Sequence, residues 1–174
     1  MDIQANSNFD VNFFKTHCLL KNNIPDAVDN LGSSQLDGLI LIAARTGRRQ
    51  IKNKVEMYEA IKKELPFAKV AMIEFTSSIT YAMQYGLWRR SQIVIGLHGG
   101  NLGGAAFLSP GQGLIEGGFD CMVEKPPMFA VTAVSNGAMW RCASVTNCPG
   151  DCMETGGTIV IDQVVSHLKE MLNI

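Results

Sequence analysis

The sequence predicts an α/β domain in which helices cover both faces of a parallel sheet. Three observations lead there. Its apolar runs are short and continuous rather than alternating, the pattern of strands buried on both faces. Segments with apolar residues at helical spacing separate those runs. At 174 residues, 47% apolar and 18% charged, the chain suits one domain with a substantial core and is unlike a disordered segment.

Residues 10–22 carry a weak amphipathic pattern, and a polar connector runs on to Leu36. The expected division is therefore an N-terminal helix and connector over residues 1–36 and one domain over residues 37–174. "LDGLILIAAR" is the first buried strand. In the helix expected next, Ile51, Val55, Tyr58, Ile61 and Leu65 face inward and Lys52, Glu59, Lys62 and Lys63 face water. "AKVAMIEF" is a second strand buried on both faces. Thr76, Ser77 or Ser78 then caps a helix with Ile79, Met83 and Leu87 inward. "QIVIGL" and "GLIEGG" are the third and fourth strands. A helix from Met128 to Gly137 and a short strand from Arg141 to Val145 follow. The terminal "IDQVVSHLKEMLNI" is a helix with Val164, Val165, Leu168, Met171 and Leu172 inward. Together these make a Rossmann-like domain.

Charge and composition exclude some partners. A formal net charge of -1 argues against a general grip on nucleic acid, although a local basic cluster can hold a small anion. No apolar run approaches the ~20 residues that cross a bilayer, and the opening "MDIQANSNFD" is unlike a secretory leader. Of the five cysteines, Cys142, Cys148 and Cys152 form C-x5-C-x3-C, which is not the paired spacing of a structural zinc site. They suit either one disulfide in an oxidising compartment or reduced buried thiols. No Asn-x-Ser/Thr glycosylation signal occurs.

In parallel α/β sheets, ligands meet the protein outside the carboxyl ends of the strands. That rule gathers Arg45, Arg48 and Arg49 after the first strand, Glu74 at the end of the second, His98 to Gly104 after the third and Glu116 at the end of the fourth. Gly99, Gly100, Gly103 and Gly104 let the backbone approach a ligand, and a helix starting near Leu102 would favour an anion. The pattern is not the G-x-G-x-x-G of a dinucleotide site, which counts against a dehydrogenase. Arginine forks match phosphate oxygens, and no acid stands between Asp37 and Glu56 to neutralise the three arginines. His98 could donate to a phosphate or a sugar hydroxyl, or bond a backbone carbonyl in the core; no nearby carboxylate is evident to orient it as a base. Glu116 could accept from a ribose diol, cap its loop or pair with Arg45 or Arg49. Gln84 is expected to be structural, and Asn53 and Glu56 to buttress the arginine loop.

The combination resembles glycosyltransferase family 61, which includes the EGF-domain O-linked N-acetylglucosamine transferases and plant xylan-decorating enzymes. The C-terminal half of that family carries R-x-x-x-R-x-I-x-N-x-x-E, and this chain has "RTGRRQIKNKVE" from Arg45 to Glu56. A helical glutamine stands fourteen positions before the histidine of an H-G-A-G-L loop. Here Gln84 precedes His98 by fourteen, and the loop is "HGGNL". An apolar stretch then leads to a strand ending in glutamate, here "AFLSPGQGLIE" up to Glu116. Trp140 and the last helix could represent the family's closing segment. The resemblance spans residues 37–174. Gly100 and Asn101 replace an alanine and a glycine of the loop, and Lys54 follows Asn53 where relatives often have an acid.

The resemblance implies the donor-binding half of an inverting GT-B glycosyltransferase, which moves a sugar from a nucleotide diphosphate, UDP-linked, to a glycan or protein hydroxyl. It implies donor contacts by Arg45, Arg49, Asn53, His98, Gly99, Gly100, Asn101, Leu102 and Glu116. Catalytic roles fall to His98 and Arg49, and the acceptor's general base is expected outside this chain. Neither a metal nor a resident cofactor is expected. The implied compartment is the endoplasmic reticulum or Golgi lumen. The alternative is a non-catalytic nucleotide- or glycan-binding module on the same fold.

Overall fold

The computed structural model describes residues 38–76, 79–118, 127–148 and 152–174. The expected N-terminal helix and its connector lie outside them. Strand β1 spans Leu39–Ala44, β2 Lys69–Glu74, β3 Ser91–Leu97, β4 Gly113–Gly118, β5 Met139–Thr146 and β6 Thr158–Ile159. The helices are α1 (Lys54–Glu64), α2 (Tyr81–Arg90), α3 (Met128–Ser135), the short α4 (Cys152–Thr155) and α5 (Ile161–Leu172). A 3-10 helix over Gly100–Phe107 follows β3.

These strands form one sheet in the order β2-β1-β3-β4-β5-β6. Neighbours from β2 to β5 pair in parallel, and only β6 runs antiparallel, against β5. The fold is the expected Rossmann-like α/β sheet, with a short antiparallel edge that sequence patterning did not reveal.

The continuous apolar runs divide cleanly between two cores. Ile40, Ile42, Ile93, Ile95 and Leu97 pack with Met57 and Ile61 of α1 and Val164, Leu168 and Met171 of α5. Leu39, Leu41, Ala43 and Val94 pack on the other face with Leu87 and Trp88 of α2, Leu102 and Phe107 of the 3-10 helix, and Phe129 of α3. Alternate side chains serve opposite layers of the sheet. Each fully buried Leu or Ile contributes roughly 1.5–3 kcal/mol.

Several local expectations are corrected. Strand β2 is not buried on both faces: it is the last strand of the sheet order, and Met72 remains 37% exposed. Helix α1 turns Val55 outward and buries Met57, because Ile51 precedes the helix and bridges Gly157 instead. Helix α2 is capped by Thr80, whose hydroxyl accepts from Met83 N–H at 3.3 Å. That later start leaves Met83 exposed and buries Trp88 beside Leu87. The α-helix expected near Leu102 is a 3-10 helix.

Cys142 and Cys148 are both disulfide-bonded, so the reduced-thiol reading fails for these two. Cys142 lies inside β5, about 13 Å of extended chain before Thr146. The Cys148 sulfur lies 3.8 Å from the Thr146 carbonyl.

Candidate functional site

The strand order reverses direction between β1 and β3: the chain leaves β1 toward β2 and returns past it to β3. At such a switch point the loops leaving two neighbouring strands diverge and open a crevice for ligand. Arg45 follows β1, and His98 follows β3. The two stretches singled out in the sequence thus flank the one place where this topology leaves room.

The arginine and glycine loops touch there. A side chain on Gly99 would place its Cβ 2.9 Å from Arg49 Cδ, 3.2 Å from Arg49 Nη1 and 3.4 Å from Arg45 Nη1. Two guanidinium groups therefore converge over one glycine, and a side chain there would push the Arg49 side chain aside. Gly99 itself has φ 154, and Arg49 sits in the left-handed region at φ 56. A non-glycine residue there costs roughly 1–2 kcal/mol and is uncommon outside functional or tightly constrained sites. Both arginines are half-buried, which strengthens their pull on an anion relative to fully solvated groups. Gly100 and Gly103 are exposed, with nothing within 4 Å of where a side chain would begin.

Arg48 does not join them. It is exposed and pairs with Glu154 at 2.7 Å, an acid 106 residues on that no local reading of the arginine run could supply. Glu74, expected at the same mouth, pairs with Lys54.

His98 has the carboxylate partner that its sequence neighbourhood did not reveal. Nδ1 lies 2.5 Å from Glu116 Oε1, and the ring tilts against Phe129 with centroids 5.4 Å apart. The register explains the meeting, since Gly96 is opposite Glu116 in the β3–β4 pair and His98 N–H donates to the Gly117 carbonyl at 2.8 Å. The Glu116 side chain is 0% exposed, whereas His98 keeps 32% of its side chain exposed. The second Glu116 oxygen accepts from Trp140 Nε1 at 3.0 Å. With both oxygens engaged inside the protein, Glu116 meets neither Arg45, Arg49 nor a loop cap.

Three other residues of the expected set make bonds within the protein. Leu102 is fully buried beneath the loop, and its N–H is spent on the Gly99 carbonyl at 2.8 Å, so it anchors the loop rather than offering a donor group. Asn53 exchanges two bonds with the Ile159 backbone, at 2.9 and 3.0 Å, tying the start of α1 to β6. Asn101 sends its Nδ2 to the Ala43 carbonyl at 3.1 Å, and so latches the glycine loop to the end of β1. Its Oδ1 is buried with no hydrogen-bond partner. Gln84 is structural as expected, donating to the Ile79 carbonyl at 3.0 Å. Gly104 serves packing, for a Cβ there would meet Trp88 at 2.1 Å.

Behind the arginine loop lies a support that no sequence spacing announced. Lys52 N–H donates to the Gly157 carbonyl at 2.9 Å, and Gly157 N–H donates to the Gln50 carbonyl at 3.2 Å. Gly156, at φ 71, sits so close that a Cβ would lie 2.2 Å from the Gln50 oxygen.

Arg45, Arg49 and Gly99 meet at the switch point of a parallel sheet, the place where α/β folds of this class receive their ligands. The chain belongs to glycosyltransferase family 61: the model for Glycosyltransferase 61 matches residues 6–115, more than half of its length. The match begins well before residue 37, where the motif resemblance begins, and takes in both arginines, Asn53 and the whole glycine loop. It ends at the residue before Glu116. No curated protein matches the chain. Glycosyl transfer is the chemistry of its family, and no helix among the described residues is long and apolar enough to cross a membrane.

Proposed function

We propose that this chain supplies the donor-binding half of an inverting GT-B glycosyltransferase, and that the donor is a nucleotide-diphosphate sugar, UDP-linked. The observation that carries the reading is the convergence of Arg45 and Arg49 on Gly99 at the β1–β3 switch point. A diphosphate offers two adjacent groups of oxygens to two adjacent guanidinium forks.

In the proposed reaction an acceptor hydroxyl attacks the anomeric carbon from the face opposite the diphosphate. The carbon–oxygen bond to the β-phosphate breaks, and the electron pair leaves with the diphosphate. Arg45 and Arg49 meet the negative charge that develops there, and exposed backbone at Gly100 and Gly103 allows close approach. One well-placed donor of this kind contributes about 2.7–4 kcal/mol to the transition state. His98 borders the same crevice and completes the contact with the donor. The acceptor's proton passes to a base outside this chain, which fits a donor domain working with a second half. A secretory-pathway lumen is the proposed compartment, supported by the disulfide-bonded Cys142 and Cys148, since such bonds persist in oxidising surroundings.

Calorimetry on the whole chain tests this with UDP, GDP, CDP and their sugars. UDP should bind, and Arg49→Ala and His98→Ala should each abolish measurable binding while the fold stays intact. Binding of a glycan alone, insensitive to Arg49→Ala, would instead identify a non-catalytic glycan module. A folded chain that binds none of these would overturn the donor-site reading.

A further inference from the structure

The Trp140–Glu116–His98 chain points to a function for two residues that touch no ligand. Glu116 is an acid with no exposed surface. An ionised carboxylate only accepts hydrogen bonds, and an indole N–H only donates. Trp140 therefore occupies Oε2 in one possible sense, from Nε1 at 3.0 Å. Oε1 remains for His98, 2.5 Å away at Nδ1. Opposite an ionised Glu116 the ring nitrogen facing that oxygen carries the proton, because a bare Nδ1 would set a lone pair against a carboxylate oxygen.

Phe129 holds the ring plane, with centroids 5.4 Å apart at 57°. Rotation about the ring axis would break the Glu116 bond. Nε2 is thus the nitrogen left for a ligand, on a side chain still 32% exposed and one residue before the glycine under Arg45 and Arg49.

We propose that Glu116 and Trp140 are positioning residues: they fix the Nδ1–H form of His98 so that Nε2 faces the donor. This rests on the donor-site reading above and assigns Glu116 a different task from ribose binding. When the ring is neutral, Nε2 accepts a hydroxyl proton of the donor. When the ring is protonated, Nε2–H donates to a diphosphate oxygen. Trp140 acts one step further out, by keeping the Glu116 carboxylate turned toward the ring. Its place on β5, opposite Leu114 of the neighbouring strand, is what brings the indole within reach of β4.

The test is nitrogen-15 NMR of the histidine rings in the whole chain, with UDP as the probe, on wild type, Glu116→Gln and Trp140→Phe. In wild type, His98 should show a protonated Nδ1, and UDP should move its Nε2 signal. Either substitution should raise the share of the Nε2–H form and weaken UDP binding by about tenfold. Unchanged ring signals and wild-type UDP affinity in Glu116→Gln would overturn the proposal, even if its melting temperature fell, because a merely structural acid would behave that way. Should Trp140→Phe fail to fold, Glu116→Gln decides alone. If wild type binds no UDP, the donor-site reading fails, and the ring signals in the absence of ligand still decide whether Glu116 and Trp140 set the tautomer.

Discussion

Asn53 and Ile159 exchange two hydrogen bonds: the Asn53 amide donates to the Ile159 carbonyl at 2.9 Å, and the Ile159 N–H donates to Asn53 Oδ1 at 3.0 Å. Two backbone groups of β6 are thereby satisfied by one side chain at the head of α1. Asn53→Ala leaves both without that partner and should destabilise the chain by about 1–3 kcal/mol. Denaturant unfolding measures the loss. Because the amide is engaged away from the crevice, nucleotide affinity in the protein that remains folded should change far less than in Arg49→Ala.

Asn101 bonds the Ala43 carbonyl at 3.1 Å across the switch point. Asn101→Gly removes the latch. We expect UDP affinity to fall about threefold to tenfold, the equivalent of one modest hydrogen bond, with little change in melting temperature. Calorimetry beside thermal unfolding separates the two effects. A stability loss with affinity intact would show that the latch serves the fold rather than the loop's alignment.

Two glycines of one loop should respond oppositely to a methyl group. Gly104→Ala would drive a Cβ into Trp88, whose ring atoms lie 2.1–2.3 Å from it, and should cost about 1–3 kcal/mol. Gly100→Ala meets nothing within 4 Å and should stay within about 0.5 kcal/mol of wild type. Parallel melts of the two variants check the contrast.

Helix α5 carries a pH-dependent tie to β5. The Arg141 guanidinium bonds Glu170 and holds its carboxyl below the usual 4.5, with smaller help from His167. The folded protein therefore binds fewer protons at Glu170 than the unfolded chain does. The contribution is complete above pH 4.5 and is lost as pH falls through the lowered folded value. Glu170→Gln should melt slightly below wild type at pH 7, and the gap should close as the pH is taken below 4.5. The pair is solvent-exposed, so the gap should be small and should shrink in high salt.

Much of this architecture was readable beforehand because it rests on local signals. Continuous apolar runs mark strands with a core on each face, and β1 and β3 are such strands. The expected gathering of Arg45, Arg49 and Gly99 at the strand ends rested on strand order along the chain, and the structure brings the three together. Boundaries were less secure. The start of α2 depended on which of several hydroxyl residues became its cap, and Thr80 won over three earlier candidates. The edge position of β2, which exposes Met72, depends on strand order, and periodicity says nothing about order.

The sequence by itself determined the fold class and the family. Tertiary structure alone decided who meets whom. Glu116 and His98 are 18 residues apart, Glu116 and Trp140 are 24 apart, and Arg48 and Glu154 are 106 apart. Such pairings arise from strand register and loop closure, which depend on the packed sheet as a whole. Composition and spacing supply the groups, but a hydrogen bond requires positions within a few ångströms, and only the folded sheet brings these residues that close.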